Sequence, residues 1–524
     1  MKIATSDQMR SIDRRAAEAG ITTEFLMENA GRAVAEEIRG FVDYIAGRIV
    51  LVLVGPGNNG GDALVAARYL HERGADVSIY LLSERATQDK NLVLAKQHGI
   101  PLFFLHKDTR DAKLKNSLAT AEIVVDGILG TGHARPIEGR FKEILNRINL
   151  EKQRRPQLIT VAIDIPTGMN ADTGAADQNC LKADLTVTLG LPKPGLYSFP
   201  GAGMAGKVFV ADIGIPDKLT RNIKAELITA GWAQSALPAR PASANKCTFG
   251  RVLAVVGSEN YIGAAYLACM GAARVGAGVV TLSTAKSLQP ILASKLTEAT
   301  YAPLPEAAKG ILSEKAASAI LSILPYYRVL LMGCGLGQHP HTRDFVRNVL
   351  SGLPENPPAL ILDADALNIV SGIDGWWKQL PAGTVVTPHA GEMSRLMSVS
   401  IERLQGNRLE MCRKAAMHWG KVVVLKGAFT IIADPAGRVR ISNYASAGLA
   451  SAGTGDVLAG AIAGLAGQGV PPFDAAVLGV YLHSAAGALV EDALGNAGML
   501  ATDLLPALPR VIKELTKSPD KHSH

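Results

Sequence analysis

Apolar residues along this chain come in short unbroken runs, each followed by a turn bearing glycine or an acid and then by a stretch with helical spacing. Arg48–Val54 (RIVLVLV) is such a run, as expected of a parallel strand buried on both faces. It predicts a strand, a Gly/Asn-rich turn, a helix from Asp62 to Arg73 and a second strand over Val77–Leu82. Further strands are predicted to end at Val125 and Ile163, and a later one to cover Leu185–Leu189. This alternation predicts an α/β fold with a doubly wound sheet. The pattern lapses across Asn222–Asn245, where Leu237–Ser243 (LPARPAS) has linker composition. It resumes with a strand at Arg251–Val256, a helix at Ile262–Val275 and strands near Val279, Val329, Leu360, Val385 and Val422. Two α/β domains are therefore expected, 1–222 and 223–516, followed by a polar, frayed end from Lys517 to His524.

Near the end of the chain, Leu458, Ile462 and Leu465 recur at i, i+4 and i+7 before Gly467 and Gly469 stop the helix. That helix opens on Ala452-Gly453-Thr454-Gly455-Asp456. Free backbone N–H groups and the positive end of the helix dipole make such a start an anion site, here beside an acid in the first turn.

Length and composition narrow the class. A chain of 524 residues is too long for one ordinary core and implies roughly two to four domains. Aromatic residues at 5% beside 53 glycines favour α/β units over β-sandwiches. No apolar run reaches the roughly 18 residues that span a bilayer, and Met1–Gly20 is too charged for a secretory core, so a cytoplasmic protein without a membrane partner is expected. The 54 Lys and Arg barely exceed the 47 Asp and Glu and form no basic block, which gives nucleic-acid binding no support. Five cysteines without CxxC spacing read as reduced thiols, and eleven histidines without HExxH spacing imply no transition metal.

The turn after the first strand, Gly55-Pro56-Gly57-Asn58-Asn59-Gly60-Gly61-Asp62, satisfies GxGxxG, the phosphate cradle of Rossmann-like sheets. Two asparagines and an aspartate crowd a loop that a pyrophosphate needs free of negative charge, so the residues point to a polar site of amides and carboxylates. Two other strands end in Asp126 and Asp164, and Thr167 follows the latter. Ligands of open parallel sheets bind outside the carboxyl ends of the strands, so all these residues should converge on the rim of one crevice. Each acid alone reads as a cap or turn former; three together read as a site.

In order and spacing, GPGNNGGD, DGILGTGHARPIEG, AIDIPTGMNADTG and KPGLYSFPGA resemble the NAD(P)H-hydrate epimerase family, from about Ser6 to Pro216. The resemblance implies that Asn58, Asn59, Gly60, Gly61 and Asp62, with Gly130, Thr131, Gly132, His133, Ala134, Arg135 and Pro136, hold the substrate. It makes Asp164 the acid/base residue and Asn59, Asp126 and Thr167 a potassium (K+) site, for which oxygen ligands are suited. Ala63 stands where that family usually has Gly, and Thr167 where it often has Ser; neither change removes a polar ligand.

By the same strand-end rule, Gly333–Gly337 (GCGLG), Asp363–Asn368 (DADALN), Thr387–Glu392 (TPHAGE) and Val423–Ala428 (VVLKGA) surround a second crevice, with Asp456 at its edge. Taken singly, His389 reads as a surface histidine and Lys426 as a solvated lysine. Together with TFGRVLAVVGSENYIGAAYLA these segments resemble the ADP- or ATP-dependent NAD(P)H-hydrate dehydratases, with a ribokinase-like fold, over about Arg240 to Gly469. The resemblance implies nucleotide on Lys426, Gly427, Ala428, Phe429 and Thr430 and on Gly453, Thr454 and Gly455, and hydrated nicotinamide near Ala264, Gly337, His389 and Asp456. Asn245-Lys246-Cys247 departs from the common His-Lys-Gly, and Ala452 replaces a frequent Gly.

The two resemblances imply one chemistry. Water added across the 5,6 double bond of a reduced nicotinamide gives a C6 alcohol, and hydroxide leaves badly; a phosphate ester leaves well. A kinase-like site with Asp456 as base and Mg²⁺ on the transferring group can therefore dehydrate the S hydrate, while an epimerase supplies it from the R form. NADHX and NADPHX are the implied substrates, ADP the co-substrate by analogy with fused prokaryotic enzymes, and a homo-oligomer is expected. The rivals are a vitamin or sugar kinase with the same fold and a non-catalytic N-terminal binding domain.

Overall fold

Alternate residues of the first strand, β1 (Ile49–Val54), enter two different cores: Val50, Val52 and Val54 pack on one face of the sheet, Leu51 and Leu53 on the other. Burying each such side chain contributes about 1.5–3 kcal/mol, so an uninterrupted apolar run settles inside the sheet, not at its edge. The computed structural model describes residues 1–132 and 136–517; His133, Ala134 and Arg135 of the substrate segment lie outside the described residues. The chain divides into two units, Met1–Ile223 and Lys224–His524.

In the first unit β1 is joined by β2 (Asp76–Leu81), β3 (Leu102–Phe104), β4 (Ile123–Gly127), β5 (Ile159–Ile163), β6 (Leu185–Leu189) and β7 (Lys207–Ala211). The order β3-β2-β1-β4-β5-β6-β7 is parallel throughout and reverses between β1 and β4, the place where open α/β sheets bind ligands. One boundary differs from expectation. The first crossover helix runs from Asn58 to Glu72, with Gly57 as its N-cap, so Asn58–Asp62 form its first turn and not a loop. The N–H groups of Gly60 and Gly61 both donate to the Gly57 carbonyl. These glycines serve close packing: a Cβ at Gly60 would stand 2.2 Å from the Gly55 carbonyl oxygen, and one at Gly61 2.5 Å from the Met27 sulfur.

The second unit carries β8 (Ala225–Leu227), β9 (Arg251–Val255), β10 (Val279–Ser283), β11 (Thr300–Tyr301), a separate ribbon of β12 (Glu306–Ala308) and β13 (Ile311–Leu312), then β14 (Val329–Met332), β15 (Ala359–Leu362), β16 (Val385–Val386), β17 (Val422–Leu425), β18 (Ile431–Ala433) and β19 (Val439–Ile441). Its sheet runs β11-β10-β9-β14-β15-β16-β17-β18-β19-β8, parallel except where β18 pairs antiparallel with β17 and β19. The stretch without pattern at 222–245 holds β8, at the sheet edge, and a helix Ala230–Ala236, both too short for a period to show.

The helix that opens on the Gly-Thr-Gly-Asp motif spans Thr454–Gly467 and packs against Ile262–Arg274 through small residues. A Cβ at Gly460 would stand 2.0 Å from the Ala268 carbonyl oxygen, so the glycine permits backbone contact that fixes the motif over the sheet. The following helix, Pro472–Leu494, has 23 residues and a mean hydropathy of 1.5, long and apolar enough to cross a membrane by length and composition. This corrects the expectation that no segment meets that test, since Asp474 and His483 interrupt the run in sequence. Of its most apolar window, 67% is buried within the unit, against the Thr454–Gly467 and Ala501–Thr516 helices.

Candidate active sites

Asp164 follows the end of β5 with a φ of +68°, a left-handed conformation that costs a non-glycine residue about 1–2 kcal/mol. It is held there from β6. Its Oδ1 accepts from the Leu189 N–H at 3.2 Å, from the Thr188 hydroxyl at 3.3 Å and from the Lys193 ammonium. Lys193 is only 1% exposed and spends its remaining donors on the Leu189 carbonyl at 2.9 Å and the Thr188 hydroxyl at 3.3 Å. The pair borders a cavity of about 490 Å³ that Asn58, Asn59, Asp62, Gly130, Thr131 and Gly132 also line, with Asp13 from the Ser6–Glu18 helix. Burial, reinforced by the Asp164 charge, pushes Asp62 well above the carboxylate range. Asp13 is raised as well, by partial burial first, with Lys193 opposing and Asp164 adding.

Asp126 lies inside β4, wholly buried. Its Oδ1 accepts from the Thr167 hydroxyl at 2.7 Å and its Oδ2 from the Thr167 N–H at 2.8 Å, while the Thr167 oxygen accepts from the Leu129 N–H at 3.0 Å. Burial pushes Asp126 up to about 6, and hydrogen bonds only partly oppose it. The buried Asn59 amide nitrogen has no hydrogen-bond partner. A buried carboxylate with a hydroxyl oxygen and an amide oxygen to offer, and no cationic partner among the described residues, is a ligand set that fits a hard monovalent cation. Thr167 is fully buried, so it stands beneath the cavity and not on its rim as expected.

In the second unit, Asp363 follows β15 and is 1% exposed. Its Oδ1 receives the Lys426 ammonium at 2.6 Å and the Thr387 hydroxyl at 2.7 Å. Burial disfavours the ammonium, but Asp363 and Glu392 outweigh it and raise Lys426 above the usual lysine value. Cys334, Asp363 and Asp456 bring their side-chain tips within 4.8 Å of one another. Burial, then the Asp363 charge, pushes Asp456 up to about 7 against the pull of Lys426. The first helical turn is held by His483, whose Nε2 donates to the Thr454 carbonyl at 2.9 Å; burial brings this imidazole down to about 4, so it is neutral. Gly453, with a φ of +88°, turns the chain into the helix. Beside it a cavity of about 150 Å³ is lined by Lys426, Gly427, Ala428, Thr430, Thr454 and Gly455, closed by Tyr444, Leu449 and Leu458.

A family model described as NAD(P)H-hydrate dehydratase matches residues 252–510, and one described as YjeF-related protein N-terminus matches 23–195. The chain is 43% identical over 523 residues to the bifunctional NAD(P)H-hydrate repair enzyme Nnr of Moorella thermoacetica, covering 98% of this chain and 97% of that protein. The chain belongs to the bifunctional NAD(P)H-hydrate repair enzyme family. A further member from Thermofilum pendens is 35% identical over the same shares. Among solved structures, the ADP/ATP-dependent NAD(P)H-hydrate dehydratase of Bacillus subtilis, co-crystallised with ATP and Mg²⁺, is 33% identical, covers 55% of this chain and 98% of its own, and has a TM-score of 0.47.

The first parallel α/β unit carries the YjeF-related match and the second α/β unit the NAD(P)H-hydrate dehydratase match. Of the residues singled out in sequence, Gly60 and Gly61 are buried beneath the first cavity and Pro136 does not line it. Phe429 and Gly453 do not line the second cavity; Phe429, at a φ of +53°, is tied to the Tyr444 carbonyl. His389 caps the Ala390–Met397 helix: Nδ1 accepts from the Gly391 N–H at 3.0 Å, and Nε2 lies 3.2 Å from Glu392. Gly337 donates to Asp365 at 2.8 Å, and Ala264 is buried under Gly335, where a Cβ would come within 2.7 Å. Lys193, Asp13, Asp363 and Thr387 were not singled out. Lys193 and Asp363 sit inside recognised motifs without a spacing signal, and Asp13 lies on the polar face of an amphipathic helix.

Proposed function

We propose that residues 1–222 interconvert the R and S epimers of hydrated NADH and NADPH, and that residues 223–516 dehydrate the S epimer at the expense of ADP, releasing AMP and phosphate. One observation carries this reading: the two sheets each present a positioned acid at a strand-end crevice, Asp164 locked by Lys193 and Asp456 raised to about 7 at a helix start.

In the dehydratase site Asp456 takes the proton of the C6 hydroxyl as its oxygen attacks the terminal phosphate of ADP. A base with a pKa near the working pH is best placed for this. Gly455, in the first helical turn and lining the cavity, offers the positive end of the helix to the transferring group. Lys426 adds positive charge next to Gly455, at which a Cβ would lie 3.4 Å from its nitrogen. The ring nitrogen lone pair then expels phosphate from C6 and restores the 5,6 double bond through loss of the C5 proton. Mg²⁺ would fit this site as an ion carried by the nucleotide phosphates, because Asp363 is already engaged by Lys426 and, of the two carboxylates in the described cluster, Asp456 is left to approach it. Ala264, Gly337 and His389 border the hydrated nicotinamide, His389 through its ring face since both nitrogens serve the helix cap.

In the epimerase site Asp164 is the acid/base group, and Asn58, Asn59, Asp62, Gly130, Thr131 and Gly132 hold the substrate. Asn59, Asp126 and Thr167 would hold K+, which supplies the counter-charge that the buried Asp126 lacks.

The test is incubation of the full chain with the S hydrate and ADP, following NADH absorbance and free phosphate. One phosphate released per NADH recovered is expected; a stable phosphorylated product without NADH would identify a kinase instead.

A further inference from the structure

Among the described residues the charges around Asp164 do not balance. Three carboxyl groups, Asp13, Asp62 and Asp164, line one cavity with one buried ammonium, Lys193. That ammonium is committed: its contacts are Asp164, the Thr188 hydroxyl and the Leu189 carbonyl. It therefore neutralises Asp164 and leaves the other two acids to repel one another. Among the cations, Arg10 lines the wall from Asp13's own helix, and Arg85, which acts on Asp62, is itself paired with Asp89 at 2.7 Å and with the Gly55 carbonyl at 2.8 Å. Like charges facing one cavity disfavour one another's ionisation, and Asp62 and Asp13 are both raised accordingly. Asp62 is enclosed in the first turn of its helix, whereas Asp13 is open to the cavity.

We propose that the epimerase site works with two carboxyl groups brought to one cavity by different elements, Asp164 held in place by Lys193 and Asp13 as its partner, which share one proton and exchange the acid and base roles. Lys193 is then a positioning residue. This rests on the reading that the first unit interconverts the hydrate epimers, and it deepens that reading.

Inversion at C6 requires the hydroxyl to leave one face and water to add to the other. Asp13 gives its proton to the departing oxygen; the C6–O bond breaks with its electron pair on the water formed, and the N1 lone pair makes the C6=N1 double bond. Water then adds to the opposite face, its oxygen pair forms the new C6–O bond, the double-bond pair returns to N1, and the surplus proton passes to Asp164. One proton has moved from Asp13 to Asp164, and exchange with solvent resets it. The opposite epimer uses the two groups in reversed roles, starting from the form with the proton on Asp164, so one proton shared by two carboxyls suits an interconversion.

The experiment is the pH profile of R-to-S exchange by the full-length enzyme without nucleotide, followed by NMR. The wild type should show two limbs, an acidic one where the pair loses its carboxylate and an alkaline one where it loses its proton. Asp13→Asn, which keeps the side-chain volume, should slow exchange by about 10²- to 10⁴-fold and remove the alkaline limb. Lys193→Met should move the acidic limb to higher pH, because the pair then loses its one cationic contact and Asp164 keeps only the Leu189 N–H and the Thr188 hydroxyl, and Lys193→Arg should restore its position. The proposal is overturned if Asp13→Asn keeps both limbs, at whatever rate, or if Lys193→Met keeps the wild-type acidic limb. A wild type that exchanges no epimers, or an Asp164→Asn enzyme with full activity, would instead overturn the epimerase reading itself.

Discussion

The Lys426 ammonium lies 2.6 Å from the Asp363 carboxylate, a buried acid beside Asp456 paired with a partly buried lysine. The pair keeps a fixed negative charge beside Asp456 without leaving it uncompensated. Breaking a buried pair by removing one partner costs about 3–5 kcal/mol. Lys426→Met should therefore lower the stability of the second unit by that order in urea unfolding, and adding Asp363→Asn should recover part of the loss, as coupled neighbours do.

Asp456 must be ionised to act as base, and burial with the Asp363 charge holds it at about 7. Dehydration should accordingly rise with pH through about 7 and level off above it, in a profile measured with saturating ADP and S hydrate. Asp456→Asn should slow this step by about 10²- to 10⁴-fold while epimer exchange stays at the wild-type rate.

The potassium assignment has its own pH signature. Asp126 is raised by burial to about 6, so its protonated form favours the fold. That contribution is complete below its ordinary value and is lost as pH rises through about 6. K+ binds the ionised form and should return the loss. Thermal unfolding in KCl against choline chloride at equal ionic strength should show stabilisation of the first unit at neutral pH that shrinks to nothing as pH falls below 6. Equal midpoints at every pH would remove the site.

Gly453 has a φ of +88°, and a Cβ there would stand 2.5 Å from the Leu267 side chain. Gly453→Ala should destabilise the second unit by at least about 1–2 kcal/mol, the cost of the left-handed conformation alone, and impair dehydration. Gly455→Ala, facing only the Lys426 nitrogen at 3.4 Å, should leave stability near wild type and raise the KM for ADP. Urea unfolding and steady-state kinetics on the two variants separate these effects.

What could be read in sequence follows from the range of the interactions. The buried strands announce themselves because neighbouring residues of β1 share one apolar requirement, and the Gly453–Asp456 motif because its conformation is local. The acids Asp126 and Asp164 follow from their place at strand ends. Lys193 does not, since its significance comes from a partner 29 residues away on another strand end. The burial of Thr167 under Asp126, across 41 residues, is hidden for the same reason. His389 is the converse case. His389-Ala390-Gly391-Glu392 carries a Glu three residues after the cap position, a local capping signature that the eye passes over because histidine is an uncommon cap.

The account claims that one chain repairs both epimers by two separable chemistries, and the direct measurement is NADH recovery from an equimolar mixture of R and S hydrates with ADP, on a timescale shorter than spontaneous interconversion. The wild type should recover all of the cofactor, Asp164→Asn only the S share, and Asp456→Asn none. Full recovery of both epimers by Asp164→Asn, or recovery by Asp456→Asn at the wild-type rate, would contradict it.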